Sequence, residues 1–389
     1  MNKFTADRIF LSDGRIYNDK AIITDAKGRI LDVIDKSDAG EDVQHLHGLL
    51  VPGFINTHCH LELSHMKGKV NTGTGLIPFI ESVVTTRGAG EEEIQNAIEQ
   101  AEDEMFNSGI VAVGDISNQV DTFRVKSVGK LRYYTFIECF DFMQEEKGQE
   151  TFDQYKAVFD QINLADGSKI SLVPHAPYSV SDTLYRLIHE ANADDDTISI
   201  HNQETPPENE LFFTGSGGFV DFYRSFGVEL KGFTPTGRSS IHSALPHLNP
   251  KNRNLFVHNT LTTEDDIRAT QNVLPNTFWA TCANANLYIE NRLPNYQNFL
   301  NTNAKLTIGT DSLTSNWQLN VLEEMKTIQK FQSYVPLETL LTWATINGAE
   351  ALGFDDTLGS FVKGKTPGIV LIEGMSANSL KNTTSKRII

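Results

Sequence analysis

Apolar and polar positions alternate in two stretches of the first fifty residues. F-T-A-D-R-I-F-L-S-D-G-R-I (4–16) and A-I-I-T-D-A-K-G-R-I-L-D-V-I (21–34) alternate about D-G and K-G turns, the pattern of short β-hairpins. No catalytic constellation accompanies them, so this part reads as a small all-β unit. From about residue 50 the texture changes. Short β-branched or aromatic runs predict strands at 49–58, 109–116, 132–139, 169–175, 197–201, 254–258, 277–282 and 305–311. Helix-period stretches lie between them. Residues 91–106 carry apolar positions at helical spacing, and 261–270 opens with Thr and acidic residues suited to a helix N-terminus.

Eight strand–helix units predict an α/β architecture, a parallel (β/α)8 TIM barrel. A doubly wound open sheet competes. The barrel is preferred because reactive residues end strands along the whole chain, and only a closed barrel brings all those ends to one mouth. From residue 355 the tail returns to short strands and turns. It is expected to rejoin the N-terminal hairpins, giving a β-sandwich domain of residues 1–50 plus 355–389 and a catalytic barrel of 51–354. The last dozen residues carry no clear pattern.

Chemistry enters at residues 51–65, V-P-G-F-I-N-T-H-C-H-L-E-L-S-H. In an extended segment His58 and His60 point the same way, with Cys59 turned to the other face, so the two imidazoles can grip one metal ion. His201 ends another strand, with Glu204 three residues on. His258 and Asp311 end two more, and His175 closes V-P-H. One such histidine is commonly a satisfied core residue. The set, with Glu204 beside it, is improbable by chance. Imidazoles plus one carboxylate suit Zn2+ or a similar borderline ion, with a position left for water. Glu62 reads as lining the pocket or pairing with a neighbour, and His65 is undecided. Arg87 and Arg238 are candidates to receive an acidic substrate group, because a guanidinium fork matches a carboxylate, against a plain surface role. Phe136, Trp279 and Trp317 read as barrel packing.

The H-x-H after an apolar strand, the H-x-x-E at 201–204, the strand-ending His258 and the G-T-D at 309–311 resemble the amidohydrolase superfamily. The chain is similar in particular to its branch of nucleobase and nucleoside deaminases and triazine chlorohydrolases. That resemblance implies one metal held by His58, His60, His201 and Asp311, with Glu204, His258 and Asp311 handling protons and His175 touching substrate. The ion implied is Zn2+, with Fe2+ as the alternative. The wording P-G-F-I-N-T-H-C-H-L-E-L-S is similar to the aminodeoxyfutalosine deaminases of menaquinone synthesis. Two departures stand out: C-A-N-A-N (282–286) where the branch has C-P-x-S-N, and Gly368 where an acidic residue is usual. The fourth strand ends in Pro174-His175, and Lys169 sits at its start, so the bridging lysine of two-metal members is not expected. His60-Leu61-Glu62 begins an H-x-E motif, yet no P-C-x-x-C exists to complete that other deaminase design.

Activated water attacking an amino-substituted ring, with ammonia leaving, is the function expected. A chlorohydrolase or cyclic-amide hydrolase on the same scaffold, and a non-catalytic ligand-binding homologue, are the alternatives. The formal charge of −17 argues against a nucleic-acid partner. No run is long enough to span a bilayer, and three cysteines form no disulfide framework. A cytoplasmic enzyme of a small-molecule substrate is expected, and a homodimer is left open.

Overall fold

The computed structural model describes residues 1–230 and 232–389. The N-terminal hairpins are β1 (Asn2–Phe10), β2 (Ile16–Tyr17), β3 (Lys20–Thr24) and β4 (Ile30–Asp35), followed by β5 (Gln44–Pro52). β1 pairs antiparallel with β2 and β3, and β3 with β4, whereas β5 joins β1 in parallel. Eight parallel strands follow: β6 (Phe54–Cys59), β7 (Ile110–Ser117), β8 (Arg132–Cys139), β9 (Lys169–Pro174), β10 (Thr197–Asn202), β11 (Arg253–His258), β12 (Thr277–Thr281) and β13 (Lys305–Ile308). The tail supplies β14 (Ile369–Glu373), antiparallel to β5, and β15 (Thr384–Arg387), antiparallel to β14. The patternless last dozen residues thus contain a strand, recruited by a neighbouring edge rather than by its own alternation. These strands form the mixed β-sandwich unit around Phe4, Ile9, Ile22, Leu50, Ile369 and Leu371.

The single strand expected at 49–58 is in fact two strands in two different sheets. The break falls at Gly53, where an added Cβ would lie 2.3 Å from Val111 Cγ1 and 2.6 Å from the Pro367 carbonyl oxygen. Only a residue without a side chain lets the chain turn from the mixed sheet into the barrel at that spot. The expected helices are present as Glu91–Asn107 and Glu264–Val273. The second opens with a capping box in which Thr263 and Asp266 satisfy each other's backbone N–H groups.

Strands β6 to β9 and β10 to β13 form two four-stranded parallel sheets that close into a barrel. At one seam His201 N–H donates to the His175 carbonyl at 2.9 Å, and Ser171 Oγ to the Thr197 carbonyl at 2.7 Å. At the other seam the N–H groups of Thr310 and Asp311 both donate to the His58 carbonyl, at 2.9 and 3.0 Å. The Asn56 side chain spans the same seam, donating to Thr310 Oγ1 at 2.8 Å and accepting from Thr310 N–H at 3.0 Å. Phe136 and Trp279 are packing residues, stacked on Tyr134 and Phe256. Trp317 is not: it is half-exposed, tilted against Tyr288. No helix among the described residues is long and apolar enough to cross a membrane.

Replacing Gly53 with Ala is expected to destabilise the protein by about 1–3 kcal/mol, because Val111 and the Pro367 carbonyl must both shift. Urea unfolding of the two proteins measures this; equal midpoints would count against the tight crossing.

Candidate active site

The C-terminal ends of the barrel strands deliver the reactive side chains to one mouth, as barrel geometry dictates. His58 Nε2 lies 3.1 Å from His60 Nε2, and Asp311 Oδ1 lies 3.6 and 3.5 Å from those two nitrogens. Donor atoms of His58, His60 and His201 fall within 4.8 Å of one another, as do those of His58, His258 and Asp311. Zn–N bonds of about 2.0–2.1 Å put neighbouring ligand atoms of one ion about 3.3 Å apart, so the spacing fits a single ion. The donor chemistry fits as well. His201 Nδ1 donates to the His175 carbonyl at 2.9 Å, and His258 Nδ1 donates to Asn286 Oδ1 at 2.9 Å. Each bond commits Nδ1 and leaves Nε2 as the nitrogen that takes a metal or a proton.

Burial sets the proton affinities, and it works on acids and bases in opposite directions. It pushes His58, His60, His175 and His258 down to about 4, leaving neutral imidazoles. The same burial pushes Glu204 well above the usual carboxylate range. Asp311 goes the other way: burial opposes ionisation, but His58, 3.6 Å away, and the other surrounding imidazoles hold its carboxyl well below its ordinary value. Ser315 Oγ donates to Asp311 Oδ2 at 2.6 Å, leaving Oδ1 to face the histidines. Glu204 Oε1 sits 3.6 Å from His258 Nε2. Backbone strain concentrates here too. Gln203, His258 and Asp311 have φ of 47°, 70° and 58°, a left-handed region that costs non-glycine residues about 1–3 kcal/mol each.

A cavity of about 170 Å³ opens above these groups and touches His60, Glu62, Arg87, His175, Glu204 and Asp311. A second cavity of about 310 Å³ shares Ile80, Phe140, His175 and Tyr178 with the first, and its remaining wall is mostly aromatic. Glu62 accepts hydrogen bonds from the Asn118 and Gln119 N–H groups, and burial raises it to about 7. Arg87 Nη2 is 3.9 Å from Glu62 Oε1 at the rim. Arg238 is not brought to the cavity: it lies exposed, 3.2 Å from His242. His65 instead bonds the Arg87 carbonyl at 2.9 Å. Lys169 Nζ donates to the Gly353 carbonyl at 2.7 Å, engaged at the start of its strand.

Four residues at or behind the site escaped the sequence reading. Glu138 is the penultimate residue of β8, with Oε1 3.2 Å from His201 Nδ1; burial opposes its charge, yet His175 and His201 hold it ionised below the usual range. Burial lowers His201, but the Glu138 carboxylate more than reverses this and carries it up to about 9. The signal was available, since Glu138 occupies the same strand-end position as the histidines. Asn286, which orients His258, lies in the C-A-N-A-N stretch. Glu324, raised to about 8 by burial, supports that stretch through Asn284 N–H at 2.8 Å. Asp115, fully buried against Lys126 at 2.7 Å, receives the Leu61 N–H at 2.8 Å and so anchors the chain just past His60.

With this geometry in place, comparison with known proteins is specific. The amidohydrolase family matches residues 49–389, and the chain belongs to that family. It is 26% identical over 375 residues to the aminodeoxyfutalosine deaminase of Nitratiruptor sp., covering 93% of this chain and 89% of that one. The structure of Helicobacter pylori aminofutalosine deaminase in complex with methylthio-coformycin superposes with a TM-score of 0.82 at 23% identity, covering all of both chains. Zinc-complexed atrazine chlorohydrolase TrzN of Arthrobacter aurescens TC1 gives a TM-score of 0.77 at 16% identity, over 98% of this chain and 91% of that one.

Replacing Asn286 with Ala is expected to lower turnover about 10–100-fold, because His258 loses the bond that fixes its tautomer. Steady-state kinetics with metal content measured alongside checks this. Unchanged turnover would show that His258 needs no such support.

Proposed function

We propose that this protein is a metal-dependent aminohydrolase that replaces the amino group of a purine-type ring with oxygen from water, releasing ammonia. The observation that carries this reading is Glu204, a carboxyl kept protonated by burial and placed 3.6 Å from a neutral His258 at the cavity floor. An acid and a base of opposite bias, side by side, suit proton delivery to a ring and proton removal from water. His58, His60, His201 and Asp311 are the residues we assign to the ion, with Zn2+ first and Fe2+ second by donor type. A divalent ion held there supplies a Lewis acid strong enough to make water a nucleophile near neutral pH.

The chain's own groups do the rest. Glu204 protonates the ring nitrogen next to the amino-bearing carbon, which makes that carbon electrophilic. His258, its Nδ1 committed to Asn286, takes the water's proton at Nε2, and Asp311 holds its orientation through Ser315. Water adds to the carbon, His258 passes the proton it took to the amino nitrogen, the C–N bond breaks and ammonia leaves, and the new hydroxyl returns its proton to Glu204 as the ring keeps a carbonyl. His175 and Glu62 line the substrate cavity, and Arg87 stands at its rim to meet an acidic group. The aromatic-walled second cavity gives room for an apolar group on the far side of a nucleoside. The compound named for the Nitratiruptor relative, aminodeoxyfutalosine, is the substrate we place first. We also propose two domains near the bounds read from the pattern (1–50 plus 355–389, and 51–354), with the boundary at Gly53 because β5 stays in the mixed sheet through Pro52. The three cysteines, all free and buried, agree with a cytoplasmic setting.

Glu204→Gln is expected to keep the bound metal and lose about 10²–10⁴-fold in kcat. In the parent enzyme kcat falls as pH rises through the raised Glu204 value, since the acid form is then lost; the variant lacks that alkaline limb. Metal analysis with pH–rate profiles tests both, and a variant with parent-like turnover would remove Glu204 from proton transfer.

A further inference from the structure

Far from the barrel mouth, the mixed sheet carries a second H-x-H, in Q-H-L-H-G at 44–48. Both histidines lie on β5, two residues apart in an extended strand, so their rings leave the same face. The parallel neighbour β1 pairs Thr5 with His45 and Ala6 with Leu46; beyond a bulge, Arg8 pairs with Leu49. Asp7 therefore faces two residues, His47 and Gly48, and the bulge turns its carboxylate toward both rings. The Gly48 N–H donates to Asp7 Oδ2 at 2.9 Å. That bond leaves Oδ1 free to lie 3.3 Å from His45 Nε2 and 3.6 Å from His47 Nδ1. The ring centroids are 5.0 Å apart with planes at 80°, and one donor atom from each of the three residues falls within 4.8 Å of the others. Gly48 is itself locked, because a Cβ there would meet the Ile372 carbonyl oxygen of β14 at 2.3 Å.

We propose that Asp7, His45 and His47 form a second metal site, on the surface of the β-sandwich, for a borderline divalent ion such as Cu2+, Ni2+ or Zn2+. Two imidazoles and one carboxylate disfavour Mg2+ and Ca2+, which take oxygen donors, and stability should follow the order that peaks at Cu2+. Slight burial raises the Asp7 carboxyl, but the Gly48 N–H and the two imidazoles outweigh it and keep the ligand ionised. All three side chains are exposed, so an ion enters directly and water completes its coordination. A bound ion ties β5 to β1, and β5 runs through Gly53 into the strand that bears His58 and His60. Binding to the folded state alone then raises thermal stability. This site stands independently of the proposed reaction.

The test uses the full chain, with its tightly held metal in place, titrated with CuCl2 or NiCl2 by calorimetry and followed by Cu2+ paramagnetic resonance. One additional ion per chain is expected, bound more tightly for Cu2+ than for Ni2+, with nitrogen hyperfine structure from two imidazoles and an upward Tm shift. Mg2+ and Ca2+ should give no binding. In the double variant His45→Ala/His47→Ala the additional ion, its nitrogen signature and the Tm shift should all be lost, with turnover unchanged. No additional ion in the parent would overturn the proposal. An additional ion that survives in the double variant would overturn it equally, by placing that ion elsewhere.

Discussion

Closure of the barrel at the seam between its first and last strands is the constraint on which the site depends. The His58 carbonyl accepts from both Thr310 and Asp311, so the backbone of the last reactive residue is tied to that of the first. Asn56 and Thr57 extend the tie along the seam, Thr57 Oγ1 lying 2.7 Å from Thr307 Oγ1 and 3.1 Å from the Ile308 carbonyl. All of these groups are buried, where an unmet donor or acceptor costs about 1–3 kcal/mol, and so a slipped register is strongly disfavoured. Residues 253 positions apart in the chain, 311 and 58, are thereby held as neighbours.

Burial then divides labour among side chains of the same type. Glu204, Glu138 and Asp311 are all buried carboxyls, yet Glu204 keeps its proton while the other two stay charged. The difference lies in partners: clustered imidazoles outweigh burial at Asp311 and Glu138, whereas at Glu204 burial prevails because the pull of His201 is opposed by Asp311, Glu208 and Glu290. The left-handed backbone at His258 and Asp311 is tolerated because neighbouring strands and the Asn286 and Ser315 bonds over-determine it.

Much of this was legible in the sequence because strand ends are marked locally. β-Branched runs stop at His58, His175, His201 and His258, and barrel topology alone carries those stops to one mouth. What was not legible depends on contacts between distant segments. Gly53 looks like the middle of one strand until Val111 and Pro367 are seen against it. Arg238 has the right chemistry for an acidic substrate group, but its chain segment packs beside His242 instead of the cavity. Asp7 and His47 sit 40 positions apart, in a region whose alternation reads only as hairpin, and a bulge no local pattern announces brings them together. β15, T-S-K-R, has no apolar rhythm because none of its residues is fully buried, and backbone pairing with β14 holds it.

Deamination of a purine-type ring at the barrel mouth, with one firmly held metal ion, is the activity we propose for this protein. Ammonia release from aminodeoxyfutalosine, adenosine and methylthioadenosine, with tightly bound metal counted on the same protein, tests it most directly. Stoichiometric ammonia from at least one of these nucleosides, abolished when that ion is stripped and restored when it is returned, is the expected result. Full metal loading with no ammonia from any of them would contradict the account.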